Sequence, residues 1–376
     1  MDWNLSEDHK IIKETVSKIA QKELAPKAAE IDKTCSFVWD GLEKLKEADV
    51  LGLAIPSEYG GMGMDILSFV LATEEIAKAC ASTALSFISH SICSHIILSF
   101  GNEEQKKKYL PGMAKGERLG AFCVHEPNCG SNALALETRA VLEGSDYIVN
   151  GSKIFITNAQ EAEIYVVLVR TDPSKGPQGL SMLLIEKGTE GFSFGRREEK
   201  MGLNGTSSRE LFFSDCRVHK ENILGKEGEG LKIVAQAIIG FGFFGAAAIS
   251  LGLARSALDA SLKHAKERVI AGNPIGANQL IQSLITEMSL GVDTVSALLY
   301  STASGSVPIV DVLKAKLCAS EMAIEVTNKA LQVHGGHGYC RDFPVERYYR
   351  DARGLTLHFK TTELLKADIG KMLIGV

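Results

Sequence analysis

The sequence predicts an α+β protein in three successive parts: a helical N-terminal domain (1–116), a β domain (117–225) and a helical C-terminal domain (226–376). Two observations predict this order. Apolar residues recur at helical spacing up to about residue 116 and again after GKEGEGLK; the stretch between them breaks into short runs rich in β-branched and aromatic residues, separated by Gly, Asn, Asp and Ser. A chain of 376 residues is also long for one core, so two or three lobes are expected.

The elements follow in order. LSEDHKIIKETVSKIAQKEL reads as a helix with Ser6 in a capping position and a stop before Pro26. FVWDGLEKLKEADV, ILSFVLATEEIAKACAS and EEQKKKYLPGMAKGE read the same way, and STALSFISHSICSHIILSFG is apolar enough to be buried on most faces. AFCVHE, RAVLEGSDYIVNGSKIFITN, EIYVVLVRT, GLSMLLIEK, GFSFGRREE and ELFFSDCRV have the look of antiparallel strands in a barrel or sandwich. Helical periodicity returns over 231–262, 276–303, 308–334 and 359–374, with RVIAGNPIGAN and HGGHGYCRDFP as loops.

Composition narrows the function. A formal net charge of −5 argues against a nucleic-acid footprint, and the run Lys106, Lys107, Lys108 follows Glu103 and Glu104 as on a solvated helix face. The eight cysteines are scattered without a CxxC pair or a zinc spacing, which suits a reducing compartment and leaves no metal expected. MDWNLSEDHK lacks the basic start and apolar core of a signal peptide. The uncharged run 233–254 is long enough to span a bilayer, and it is the only such run expected. A buried bundle helix explains it better than a membrane span, and the expected location is cytoplasmic.

Six strings, in this order and spacing, carry a resemblance over essentially the whole chain: CVHEPNCGSN, KIFITNAQEAEIYVVLVRTD, KMGLNGTSSRELFFSDCRV, ENILGKEGEGLK, QVHGGHGYCRDFPVERYYRDAR and TTELL. Together they resemble the acyl-CoA dehydrogenase flavoproteins. The resemblance implies an N-terminal helical domain, a middle antiparallel β-barrel and a C-terminal four-helix bundle. It also implies FAD, an acyl thioester substrate carried on CoA or an acyl carrier protein, a homotetramer, and an electron-transferring flavoprotein as acceptor. By the same resemblance Phe122, Val124, His125 and Gly130 line the flavin, and Ser131 lies at the pantetheine or flavin edge. Phe155 and Thr157 pack on and bond the ring, Arg268 and Gln279 reach the pyrophosphate across a subunit interface, Gln332, Gly335 and Gly336 hold the adenosine part, and Thr361 and Glu363 finish the pocket. Gly130 suits a turn where backbone must approach a ligand closely, and Phe155 supplies an aromatic face where Trp is common.

The departures cluster at the acyl side. The resemblance gives the base, a glutamate, two homes: here one holds Phe359, at the start of FKTTELL where most members read EGT, and the other holds Gly242. Removing a proton from the acyl chain needs a base within hydrogen-bond reach, and neither residue can accept one. Lys360 replaces a glycine, Phe243 a frequent Arg, His125 a Thr, Asn204 an Arg and Ala271 a Phe. Phe241, Phe243, Phe359 and Lys360 are therefore expected around the acyl group. The base stays unassigned: His125 is the first candidate, His90 the second, and His358, which precedes Phe359 and can swing inward, a third whose plainer reading is packing. Each has a plainer reading: His125 as a neutral hydrogen-bonding partner of the flavin, His90 as a pocket histidine without a proton-transfer role. Four readings of function follow. They are a dehydrogenase or reductase of an alicyclic or conjugated acyl-CoA, a lyase or desulfinase-like enzyme in which Lys360 holds an anion, an oxidoreductase of a carrier-protein thioester, and a non-catalytic partner subunit.

Overall fold

Reciprocal caps open two of the N-terminal helices. Ser6 accepts from His9 N–H at 3.2 Å while His9 Nδ1 accepts from Ser6 N–H at 3.3 Å, so the helix α1 (Glu7–Ile19) starts where the sequence places it. A computed structural model describes residues 5–130 and 132–375; Ser131 lies outside the described residues. A π turn (Ala20–Leu24) and a 3₁₀ turn (Ala25–Lys27) carry α1 through Pro26 into α2 (Ala28–Thr34). There follow α3 (Trp39–Glu47), α4 (Ile66–Ala79), α5 (Ala81–Phe100) and α6 (Glu103–Ala114). Asn102 and Gln105 form the second reciprocal cap, on α6.

Among the described residues the β domain has eight strands: β1 (Gly120–Cys123), β2 (Arg139–Glu143), β3 (Asp146–Ile156), β4 (Ile164–Arg170), β5 (Leu180–Glu186), β6 (Phe192–Arg197), β7 (Arg209–His219) and β8 (Ile223–Leu224). Their order is β6-β7-β3-β2-β4-β5-β8, with β1 added beside β4. The pairs are antiparallel except β1–β4 and the single β2–β4 contact, which are parallel. Those two parallel contacts modify the purely antiparallel barrel expected. Strand β1 lies under α5 so closely that a Cβ on Gly120 would stand 2.5 Å from Cys93 Cβ, which only glycine permits.

The C-terminal domain holds α7 (Gly230–Ala237), α8 (Phe243–Glu267), the small hairpin β9 (Val269–Ile270) and β10 (Asn273–Pro274), then α9 (Gln279–Ala303), α10 (Ile309–His334), α11 (Val345–Leu355) and α12 (Thr362–Ile374). The run 233–254 is one helical rod from Gly230 to Glu267, interrupted only by a π turn at Ile238–Gly242, and most of it is buried in the protein's own core. Helix α5 is also long and apolar enough to cross a membrane and is likewise mostly buried; the expectation of a single such run is corrected. One core cluster joins the N-terminal helices to the β domain, and a second joins the bundle to Leu67, Val70 and Leu71 of α4.

Helix α11 was not expected from periodicity. VERYYRDARGL buries only Val345, Asp351, Ala352 and Leu355, so its apolar stripe is too thin to announce a helix. The last helix starts at Thr362 instead of 359, because Phe359 takes a left-handed backbone with φ 61° and Thr361 caps the helix after it.

A candidate active site between α8 and the 354–361 turn

After α11 the chain makes a tight turn. His358 N–H donates to Gly354 O at 3.2 Å, Lys360 N–H to His358 O at 2.7 Å, and Thr362 N–H to Thr356 O at 3.1 Å. Phe359 sits at the apex. Its left-handed φ is a conformation that L residues other than glycine hold at a cost of about 1–3 kcal/mol. Its N–H donates to no acceptor among the described residues. Its ring lies on the π turn that opens α8: a Cβ built on Gly242 would stand 3.2 Å from Phe359 Cδ1 and 3.3 Å from Cγ. The two positions expected to hold a base therefore face each other, and the ring of one occupies the space a side chain of the other would need. Phe241, in the same π turn, is buried with its ring 4.8 Å from Phe69 and 4.6 Å from His95. Phe243 instead belongs to the second core cluster, with α4 and the bundle helices.

Lys360 does not stand as a free cation here. Its ammonium pairs with Asp368 on α12. A second lysine, Lys316 on α10, is fully buried and donates to Lys360 O at 3.0 Å. Burial pulls its pKa down to about 8. The sequence does not single it out, since a lone lysine in a helical pattern reads as solvated.

The three histidines separate. His90 is fully buried in the N-terminal core, where its Nδ1 accepts from Gly120 N–H at 3.2 Å and burial lowers its pKa to about 4. It packs towards the backbone of Leu51 and Met113, so its candidacy as a pocket base is corrected: the α5 histidine against Phe241 is His95. His125 follows β1, and its imidazole has no hydrogen-bond partner among the described residues, while burial and the charge of Lys153 lower its pKa. His358 puts Nδ1 2.8 Å from Gly354 O. A carbonyl only accepts, so Nδ1 carries the proton and Nε2 keeps a lone pair. His125 and Lys316 are both near enough to act on its charge.

The residues expected to face the flavin come from β1 and the segment after it, the end of β3 and the start of α12. Ile154 N–H donates to His125 O at 2.9 Å and ties the strand of Phe122, Val124 and His125 to the end of β3. Beneath them Lys153 and Glu126, both buried, pair at 2.7 Å. Phe155 combines a left-handed φ of 58° with 61% exposure. Thr157 is half-buried and accepts from Ser89 Oγ through its carbonyl, and Gly130, with φ 50°, has open space where a Cβ would be. Thr361 caps α12, the adjacent Thr362 Oγ1 is buried without a partner, and Glu363 is exposed. An exposed aromatic face, an open glycine turn, an unpartnered imidazole and an unpartnered hydroxyl fit a flat, hydrogen-bonding ring.

Arg268, Gln279, Gln332, Gly335 and Gly336 are elsewhere. Helix α8 runs 25 residues from Phe243 to Glu267, about 38 Å at the usual rise. Arg268 and Gln279 are exposed at its far end. There the rings of His264 and His334 stack at 4.2 Å, bringing the end of α10 to the same pole. Gln332, Gly335 and Gly336 line a surface groove of about 640 Å³ with Leu284 and Tyr339.

Three family models match in succession: acyl-CoA dehydrogenase N-terminal domain over residues 6–117, middle domain over 121–216 and C-terminal domain over 228–374. The chain is 40% identical to a short-chain specific acyl-CoA dehydrogenase of Clostridium acetobutylicum, over 98% of both chains. The chain belongs to the acyl-CoA dehydrogenase family. Other relatives are an acryloyl-CoA reductase (NADH) of Anaerotignum propionicum (40% identical, 99% of this chain and 95% of the relative) and a cyclohex-1-ene-1-carbonyl-CoA dehydrogenase of Syntrophus aciditrophicus (37%, 98% and 91%). Among solved structures, butyryl-CoA dehydrogenase from Megasphaera elsdenii superposes with a TM-score of 0.96 at 36% identity, over 100% of both chains. A chain from the electron transferring flavoprotein structure of Acidaminococcus fermentans gives 0.96 at 42% over 99% of both, and the FAD complex of PigA 0.92 at 27% over 99% of both.

As an acyl-CoA dehydrogenase family member the chain is an oxidoreductase, and its fold is the family's: helical, β, helical. What sequence reasoning missed in the site are His95, Lys316 and the orientation of His358. The only available signal was polar residues inside otherwise apolar helices, which fits a buried hydrogen-bonding role equally well.

Proposed function

We propose that the chain is an FAD-dependent oxidoreductase of an acyl thioester, of acyl-CoA dehydrogenase or enoyl-CoA reductase type. Its acyl group is compact and flat, alicyclic or conjugated, and its proton is handled away from positions 242 and 359. The observation that carries this reading is the packing of the Phe359 ring on Gly242: neither residue carries a carboxylate, and the ring adds aromatic surface where the acyl group is expected. FAD, when bound, supplies the hydride-accepting chemistry. This chain's part is to stack Phe155 against the ring, to present His125 beside it, and to offer the unused Phe359 N–H to the thioester carbonyl, where a fixed donor stabilises developing negative charge. Relatives named for acryloyl-CoA and cyclohex-1-ene-1-carbonyl-CoA support small or ring-shaped acyl groups.

The pairing of Lys360 with Asp368 counts against a lyase in which Lys360 holds an anionic leaving group. Residues expected on one FAD lie at opposite poles of the bundle, with α8 about 38 Å long between them. A second copy of the chain in a homotetramer would bring them together. An electron-transferring flavoprotein as acceptor is part of the same proposal.

Anaerobic titration with linear, branched and cyclic acyl thioesters, on CoA and on carrier protein, tests the reading. Bleaching of the flavin by cyclic or unsaturated members alone is the expected result; a flavin whose spectrum thioesters shift but never bleach would overturn it in favour of a non-catalytic subunit. Phe359→Glu is expected to raise oxidation of saturated linear acyl-CoAs by about 10²–10⁴-fold, the usual worth of a positioned base. No gain would mean that the pocket excludes those substrates whatever base is present.

A further inference from the structure

We propose that His358 supplies, through Nε2, the proton-accepting group that positions 242 and 359 lack, with His125 as its neighbour in the site. The inference rests on the proposed function above and names the residue that handles its proton.

Four observations carry it. His358 immediately precedes Phe359, whose ring covers Gly242, so it shares the turn that brings both usual base positions together. The Nδ1 to Gly354 O bond of 2.8 Å fixes the tautomer and the ring plane. Nε2 is left deprotonated, with no partner among the described residues. A base must be a lone pair held in place and otherwise unused, and Nε2 is that. The charged groups that act on it come from different elements: Lys316 from α10, His125 from the end of β1, and Lys200 from the loop before β7. His95, the other site histidine, shares its Nε2 with Ser99 Oγ at 3.4 Å.

The surroundings also keep His358 in its working form. Burial, opposed by the Gly354 bond and helped by Lys316, His125 and Lys200, holds its pKa below the ordinary imidazole value. At neutral pH the ring is uncharged and can accept. In the forward reaction an acyl C–H bond breaks and its proton forms the N–H bond at Nε2. The C–H electron pair stays on carbon and becomes the second bond of the alkene as a hydride leaves the adjacent carbon; FAD, when bound, would be the two-electron acceptor for that hydride. In the reverse reaction Nε2–H returns the proton.

Deuterium incorporation tests this without requiring redox turnover. Butyryl-CoA reports exchange at Cα and crotonyl-CoA at the remote carbon. Each is incubated anaerobically with the purified holoenzyme in D2O, recovered and weighed by mass spectrometry, while the flavin spectrum reports binding. Wild type is expected to label one of the two. His358→Asn keeps an amide N–H to reach Gly354 O and removes Nε2; exchange should fall at least about 100-fold, with flavin content and thioester-induced spectral shift retained. The wild-type pH profile needs no variant. Exchange should be full at neutral pH and lost as pH falls, with its midpoint below about 6.5. Labelling by His358→Asn at the wild-type rate, or a midpoint at or above 6.5, overturns the assignment of the base and leaves the proposed function standing. Thioesters that bind to wild type without labelling overturn it equally. If no thioester shifts the spectrum, the proposed function fails too.

Discussion

Lys153 and Lys316 are both fully buried, yet their surroundings differ. Lys153, on β3, meets Glu126 at 2.7 Å, and Glu126 also accepts from Glu137 N–H at 2.6 Å and Thr138 N–H at 3.1 Å. Lys316, behind the 354–361 turn, meets one carbonyl, Lys360 O. On the first side charge is matched where it is buried, so the strand that carries Phe122, Val124 and His125 is held as a rigid wall. On the second side no carboxylate bonds the cation; Glu321 and Glu363 act on it only from a distance, and burial outweighs them. Buried charge matched in contact fixes a frame; buried charge answered only at a distance holds its proton less firmly, which is where proton transfer is done.

The largest effect expected from this contrast is on stability. Lys153→Met strands Glu126 in the interior and should cost about 3–5 kcal/mol, read as a lowered denaturation midpoint. Lys316→Met removes one carbonyl contact and should cost about 1–2 kcal/mol. Equal costs would break the comparison.

Next comes the contact between the two base positions. Gly242→Ala puts a methyl 3.2 Å from Phe359 Cδ1, so the ring must shift by a few tenths of an ångström; this overpacking should outweigh alanine's better helix propensity and destabilise by no more than about 2 kcal/mol. Phe359→Ala in the same chain should relieve most of that, so a double-mutant cycle should show coupling; additive costs would mean that the ring is not in the way.

The smallest effect is a pH dependence that sharpens the same contrast with carboxylates. Asp32 and Asp351 both lie at the junction of α11 with the β domain. Burial alone would raise Asp32, but bonds and charge from Arg350, at 2.6 Å, leave its pKa lowered. Its stabilisation is present above the unfolded value of about 3.9 and is lost as pH falls through its folded value. Asp351 accepts from Leu203 N–H, and burial raises it to about 6. Its contribution is present below about 3.9 and is lost as pH rises through about 6. Asp351→Asn keeps an acceptor for Leu203 and should flatten the fall in Tm between pH 5 and pH 7. An unchanged slope would mean that Asp351 ionises without cost.

Much of this molecule was legible before any coordinate. The helical, β, helical order, the Ser6 cap and the burial of 233–254 come from local periodicity and turn chemistry, which act between residues close in the chain. The family resemblance implies a flavin-facing group and puts Phe359 and Gly242 where a glutamate is expected. Periodicity failed at α11, where only a thin apolar face exists, and over 359–361, where Phe359 takes a backbone that its residue type seldom adopts.

What the sequence determined by itself, then, was composition along the chain: which segments bury a face, where helices start, and which chemistry is absent from positions 242 and 359. The tertiary structure alone decided who meets whom. It laid Phe359 on Gly242, drew His90 into the N-terminal core, turned Lys360 to Asp368, buried Lys316 behind the turn, and left Nε2 of His358 without a partner among the described residues. The reason is physical. Helix and strand patterns are set within a few residues, whereas the proton-holding properties of a side chain depend on burial and on charges brought from other elements by packing.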